Sequence, residues 1–396
     1  MRKFQTYIIE STNEDKLTHL EHAEDHPINA GAAGFQHAKK TLMAGHNALL
    51  GKQTNATVTT KYDGSPSIVF GHHPETGKFF VASKSAFNKN PKLNYTEKDI
   101  EANHGHAPGL VSKLSAALKH LPKVTPKEGV YQGDVMHSGV QSKSNPHGDV
   151  KIRGGQAHFT PNTITYSTKK PGEAEKVADS KIGVAVHTAY HGPSFEKMKA
   201  QYNTGHAGFG SHKDVHLMDV THDIGKSKYT PEQQATFKQH MAKAEEHHNA
   251  IEKAGGYHHL EPHTEHLKTY INKTVRTGDT PSTKGYNSHL GEIHQKLADK
   301  VKTPASKADK MAAGEKMINH VETHREVFNH LWGMHHSLQT AKDQLAHSFS
   351  SHTDYGHSVG NKKVKPEGHV IAINNRPTKI VDRAEFSKNN FNKTRG

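Results

Sequence analysis

TVTTKYDGSPSIVFGHHPETGKFFVASK, residues 57–84 of a 396-residue chain, is the stretch from which the fold is read. Thr and Val at 57–60, then Ser67–Gly71, then Lys78–Ser83 form three short β-rich runs, with a Pro/Gly turn after the second. The pattern predicts a meander with Lys61 at a strand end. Lys61, Tyr62, Asp63 and Gly64 fall where the first run gives way to the second, so the amine would project from a rigid edge beside a glycine that lets the backbone turn. A lysine so placed can be a nucleophile, but only when neutral, and an unperturbed lysine is protonated at pH 7. A nearby cation, a bound metal or partial burial would have to lower its pKa. Taken alone, K-x-D-G reads more simply as an exposed turn.

Four more short motifs follow in order, in strand-like surroundings: Ser83-Lys84, Tyr131-Gln132-Gly133-Asp134, Glu367-Gly368-His369-Val370 and Lys379-Ile380-Val381. The ordered set resembles the covalent nucleotidyltransferases, the superfamily of ATP-dependent DNA and RNA ligases and messenger-RNA capping enzymes. KYDGS is most similar to the phage-type RNA ligase form, and Pro66 stands where DNA ligases carry an arginine. The resemblance implies an α+β fold with an antiparallel-sheet, ATP-grasp-like ligase adenylation core. It implies that Lys61 attacks the nucleotide α-phosphate and holds the nucleotide as a lysyl phosphoramidate, with Asp63 and Gly64 in the same nucleotide-binding motif.

The other positions carry over residue by residue. Lys84 occupies the place of a usual arginine and would meet phosphate as a point charge, without the bidentate fork. Asp134 replaces a glutamate that contacts ribose or supports the metal, and is one methylene shorter. In KIGVAVHTAY (181–190), His187 or Tyr190 takes the place of the aromatic that stacks on the base. Glu367 would bind metal or the lysine region. Lys379 matches the first lysine of the last motif, whose second lysine is replaced by Val381, with Arg383 or Lys388 as substitutes. ATP and Mg²⁺ (or Mn²⁺) are thereby implied as cofactors, with Asp134 and Glu367 as metal ligands. RNA or DNA ends are the implied partners, a 5′-phosphate being sealed to a 3′-hydroxyl. Two other readings stay open: AMP transfer to a protein or small-molecule acceptor, and a non-catalytic nucleotide- or nucleic-acid-binding protein.

Composition bounds the classes further. Lys and Arg number 52 against 39 Asp and Glu, giving +13 with the 37 histidines neutral, which favours a polyanionic partner. The excess is spread along the chain and forms no basic tail. With no cysteine, disulfides and thiolate chemistry are excluded. A hydrophobic content of 32% with mean hydropathy −0.84 leaves no window apolar enough to span a membrane. MRKFQTYIIESTNEDKL lacks a signal-peptide core, so a soluble cytoplasmic protein is expected, in the host cytoplasm if a phage encodes it.

Four regions are expected. Residues 1–51 are helical and pack on the core, with Phe35, Ala38, Leu42 and Leu49 on one face and Gly51 as cap. The cluster Glu21, His22, Glu24, Asp25 and His26 reads as a polar helix end in preference to a metal site. Residues 52–229 are the first part of the sheet core, with a helix at LVSKLSAALKHL (110–121) and one more strand within VHLMDVTHD (215–223). Residues 230–350 are a helical, His-rich insertion opened by the cap Thr230, Pro231 at N1 and the capping-box partner Gln233, its first helix stopping at Gly255-Gly256. Within it, Met317, Val321, Phe328, Leu331, Leu338 and Leu345 form one seam over 315–349, and the sole tryptophan, Trp332, is expected to be packed. His320 with His324, or His259 with His263 and His266, have metal-compatible spacings, which 37 histidines also produce by chance. Residues 361–396 complete the core. The thirteen residues after Arg383 leave no room for a C-terminal OB domain, as expected of the RNA-ligase-like branch.

Overall fold

Alternation along the strands sets the central sheet. In β2 (Ser67–His72), Ile68 and Phe70 point to one face and Val69 to the other, and all three are fully buried. β2 pairs antiparallel with β3 (Phe79–Ala82) and with β4 (Val130–His137); β4 pairs antiparallel with β8 (Ile182–His191), and β8 takes β10 (Val215–Met218) in parallel, with β9 (Lys199–Tyr202) also on β8. One face of this mixed sheet packs Ile68, Phe70, Val81, Val135, Val184 and Val186 against Ile100, Leu114, Ala117 and Leu121 of α2 (Glu97–His104) and α3 (Pro108–His120) and the turn after it. Each large aliphatic or aromatic side chain so buried contributes about 1.5–3 kcal/mol. The other face packs Val69, Phe80, Val130 and Tyr190 with Phe195 and Met198.

A second sheet runs β12 (Lys362–Lys363), β11 (Tyr355–Val359), β7 (Thr165–Thr168), β6 (Gln156–Phe159) and β5 (Lys151–Arg153), antiparallel throughout, with the short helix α4 (Glu173–Asp179) beside β6 in sequence after β7. β1 (Ala56–Lys61) lies outside both. It neighbours β13 (Gly368–Ile373), while Thr60 N–H donates to the Val220 carbonyl at 2.7 Å on its other side. The expected meander therefore exists only as the β2–β3 hairpin. The chain turns away between Lys61 and Ser67 because Asp63 is tied to residues 162–164 and Ser65 N–H donates to the Val135 carbonyl at 3.0 Å.

The computed structural model describes residues 20–143, 145, 148–202, 205–383 and 385. The fold is α+β, with open antiparallel and mixed sheets. The chain divides into two compact units, one of Thr57–His222 with Thr353–Pro377, the other of Glu21–Ala56, Asp223–His352 and residues 378–385. The first holds the strands named above. The second holds α1 (His26–Leu49), α5 (Pro231–Lys253), α6 (Thr264–Thr277), α7 (Thr283–Asp299), α8 (Pro304–Thr323) and α9 (Arg325–Phe349). β14 (Arg376–Ile380) spans the division.

The helical unit takes in α1, which the sequence reading placed on the strand core. Phe35 and His46 of α1 stack on His248 and Phe237 of α5, at 4.2 and 4.5 Å between ring centroids. Thr230 and Gln233 form the reciprocal capping box of α5. The single seam over 315–349 is two helices, broken at His324 with φ −110° and ψ 31°. Val321, Phe328, Leu331, Leu338 and Leu345 are buried on either side of that break. Trp332 is packed, its indole N–H donating to Thr283 Oγ1 at 3.2 Å. Among the described residues, no helix is long and apolar enough to cross a membrane.

Candidate active site

Lys61 ends β1 and Glu367 immediately precedes β13, so neighbouring strands bring together residues 306 positions apart. Lys61 Nζ donates to Glu367 Oε1 at 2.6 Å. Asp134 enters from β4. Its register partner is Ser67, and alternation puts it on the face opposite Val135, the same face as His187 of β8, whose Nε2 stands 3.7 Å from Asp134 Oδ1. Gly64 is required here: a Cβ on it would stand 2.4 Å from the Asp134 Cβ and 2.8 Å from Met136 Sδ.

Asp63 does a different job from a ligand. Its buried carboxylate accepts Asn162 Nδ2 and the Thr163 N–H at 2.8 Å each and the Ile164 N–H at 3.0 Å, while its own N–H donates to Tyr166 Oη at 2.7 Å. These bonds fix the backbone on which Lys61 sits. Lys113 of α3 adds a further clamp, donating to the Ser65 carbonyl at 2.7 Å. Asn162, Tyr166 and Lys113 were not singled out from sequence. FTPNTITYS reads as a strand with a turn, and nothing in its pattern marks it as the partner of a residue a hundred positions away.

The electrostatics run opposite to the expectation of a depressed lysine pKa. Burial alone would lower the Lys61 pKa, but Glu367, Asp134 and Asp63 outweigh it and hold the ammonium above its ordinary value. Burial pushes the Glu367 carboxyl up, against the pull of Lys61, and the neighbouring Asp63 and Asp134 push it the same way. Burial would also raise Asp134, yet the His187 contact and Lys61 hold it below the usual carboxylate range. Glu367 Oε2 is buried and takes no hydrogen bond among the described residues. Glu367 contacts the amine, Asp134 and Asp63 add to the negative field on it, and one Glu367 oxygen is unspent. The site has an excess of anionic ligand atoms, which suits a hard divalent cation.

The remaining expected residues are placed as follows. Lys84 is exposed at the start of the 3₁₀ turn Lys84–Phe87, where the chain has left β3, which ends at Ala82. Tyr190 is buried in the core, its hydroxyl donating to Gln132 Oε1 at 2.6 Å, which leaves His187 as the ring on the Asp134 face. Lys379 and Arg383 belong to the helical unit, where the Lys379 N–H donates to the Glu21 carbonyl at 2.8 Å and Arg383 pairs with Asp25 at 3.0 Å. Lys388 and the segment before residue 20 lie outside the described residues.

A match to a family of unknown function, DUF6267, runs over residues 13–395. The chain belongs to that family. No curated protein and no solved structure matches it. The family description assigns no chemistry, so the reading of this site rests on its own residues.

Proposed function

We propose that the protein is an ATP-dependent nucleotidyltransferase, most like an RNA ligase, that works through a lysyl-AMP intermediate at Lys61. The observation that carries the reading is the Lys61–Glu367 contact at 2.6 Å, in the negative field of Asp134 and Asp63, between residues from both ends of the resembling motif set. In the resting arrangement Lys61 is an ammonium. To attack, it must first lose a proton, and Glu367 Oε1, which lies on that proton and whose carboxyl is held high by burial, is positioned to take it. The Nζ lone pair then forms a P–N bond to the α-phosphorus, the α–β phosphoanhydride P–O bond breaks, and pyrophosphate leaves. Lys84 would meet the phosphates, as the resemblance implies, and His187 would be the ring for the base.

Glu367 Oε2 and Asp134 would hold Mg²⁺ or Mn²⁺, which when bound offsets phosphate charge and relieves the anionic field on Lys61. AMP then passes to an RNA or DNA 5′-phosphate, and a 3′-hydroxyl displaces it, steps carried by the resemblance. The test is incubation with α-labelled ATP, or GTP, plus Mg²⁺ or Mn²⁺, followed by denaturing electrophoresis. Label retained by the wild type and absent from Lys61→Ala and Glu367→Gln supports the reading. Absence of label from protein whose intact mass shows no bound AMP refutes it. Label without end-joining of 5′-phosphorylated RNA or DNA assigns a different acceptor.

A further inference from the structure

The helical unit carries a cluster that the proposed reaction does not use. His259 ends the 3₁₀ turn Tyr257–His259, His320 lies in the last turn of α8, and His324 is the residue at which α8 gives way to α9. Residues 65 positions apart in sequence converge, and one ring nitrogen from each of the three lies within 4.8 Å of the other two. The sequence spacings had grouped His320 with His324 but set His259 with His263 and His266; the fold puts His259 with the first pair and sends His263 behind them.

We infer that His259, His320 and His324 bind a divalent transition ion of the zinc class and so pin the 257–259 turn to the α8–α9 break. Three observations carry this. The donor set is three imidazoles with no carboxylate, the choice of Zn²⁺, Ni²⁺, Co²⁺ or Cu²⁺ over Mg²⁺ or Ca²⁺. The three side chains are half-buried, leaving access for an ion and a solvent ligand in a fourth position. Behind His320 stands a support: His320 Nδ1 is 3.0 Å from His263 Nε2, and His263 Nδ1 is 3.0 Å from Tyr286 Oη, with His263 and Tyr286 buried. A metal on His320 Nε2 selects the arrangement in which His320 Nδ1–H donates to His263 and His263 Nδ1–H donates to Tyr286, the orienting pattern typical of ligating histidines.

His259 and His324 stack at 3.7 Å between centroids and His320 and His324 lie at 4.7 Å, while the charges acting on His259 and His320 are all other imidazoles. Burial first, and then those neighbours, hold both below the ordinary histidine pKa. Gly255, at φ +112°, makes room for the turn, since a Cβ there would stand 2.8 Å from His259 Nε2. Tetrahedral Zn–N bonds of about 2.0–2.1 Å place ligand nitrogens about 3.4 Å apart, so nitrogens within 4.8 Å of one another need to close by no more than about 1.4 Å.

The test uses the full chain, stripped with a chelator and titrated with Zn²⁺ against a chromogenic competitor, with Co²⁺ absorption as a second probe. One tight equivalent is expected, weakened about tenfold or more in His320→Gln and His324→Ala, weakened several-fold in Tyr286→Phe, and unchanged in the control His336→Ala. No tight equivalent, or one that survives both ligand variants, overturns the site. Should either variant misfold by circular dichroism, the wild type decides: Zn²⁺ must protect His259, His320 and His324 from diethylpyrocarbonate, read by peptide mass spectrometry. Equal modification with and without Zn²⁺ overturns it.

Discussion

Replacing Asp63 with alanine removes the acceptor that ties the Lys61 turn to residues 162–164. Two of its three donors are backbone N–H groups, of Thr163 and Ile164, which are 7% and 1% exposed and cannot turn to water. A hydrogen bond to a charged group contributes about 1.5–3 kcal/mol, and an orphaned buried donor costs the same order. Losing both gives about 3–6 kcal/mol for Asp63→Ala; the exposed Asn162 amide re-solvates and adds little. Asp63→Asn keeps one oxygen for the two backbone donors and turns its amide toward Asn162, which can flip to accept, so it should cost only about 1–2 kcal/mol. Trp332 reports on the helical unit, so the assay is hydrogen exchange by mass spectrometry on peptides covering 57–66 and 160–168. A loss below about 1 kcal/mol in Asp63→Ala, or equal losses in both variants, would refute the clamp.

In the helical unit, Lys342 Nζ lies 2.7 Å from Glu24 Oε1 with both side chains wholly buried, so Lys342→Met strands a carboxylate and should cost about 3–5 kcal/mol by Trp332 emission in urea. The double variant Glu24→Leu with Lys342→Met should recover most of that, and a single-variant loss under about 1 kcal/mol would count against the pair. Asp343 gives a pH signature. Burial first, then Glu24 and Asp382, push its carboxyl from 3.8 to about 7 against the pull of Lys342. A folded pKa above the unfolded one means that the native state holds the proton more tightly, so this contribution is whole below about pH 4 and is lost as pH rises to about 7, with a ceiling of about 4 kcal/mol. The difference in melting temperature between pH 5 and pH 7.5 should therefore shift toward higher relative stability at pH 7.5 in Asp343→Asn. An unchanged difference would show that Asp343 does not titrate in this range.

Local signals were legible and long-range ones were not. The capping box at Thr230, the Gly51 end of α1 and the strand alternation around Ile68 to Phe70 depend on neighbours within a few residues, and each has the predicted form. The β1–β13 neighbourhood, which brings Lys61 to Glu367, joins segments over 300 residues apart, and was reached only through the ordered motif set. Periodicity alone also gave one seam over 315–349 without marking where one helix ends and the next begins. The apolar seam does continue through α8 and α9, but His324 takes a non-helical conformation where the seam gives no warning. Likewise the spacing of histidines on one segment could not show that the partner of His320 and His324 comes from the turn at 259.

The charge state of Lys61 bears on how the proposed reaction would be controlled. A nucleophilic lysine is usually expected to be depressed by its surroundings, whereas here three carboxyl groups hold it protonated. Such an amine is inert until the field around it changes, and under the proposed mechanism the change would come with the substrate: a nucleotide and its divalent ion, which Asp134 and the unspent oxygen of Glu367 would hold. Activation would then be coupled to substrate binding, and the free enzyme would not spend its nucleophile on other electrophiles. Glu367→Gln separates the two roles of that carboxyl. It lowers the anionic field and so eases deprotonation of Lys61, yet it removes both the proton acceptor and a metal ligand. Under the proposed mechanism the second effect dominates, because a freed amine without a positioned α-phosphate has nothing to attack, and labelling falls in Glu367→Gln at every pH from 7 to 9. A Glu367→Gln protein that labels faster than wild type at pH 7 would show instead that the carboxyl only restrains Lys61.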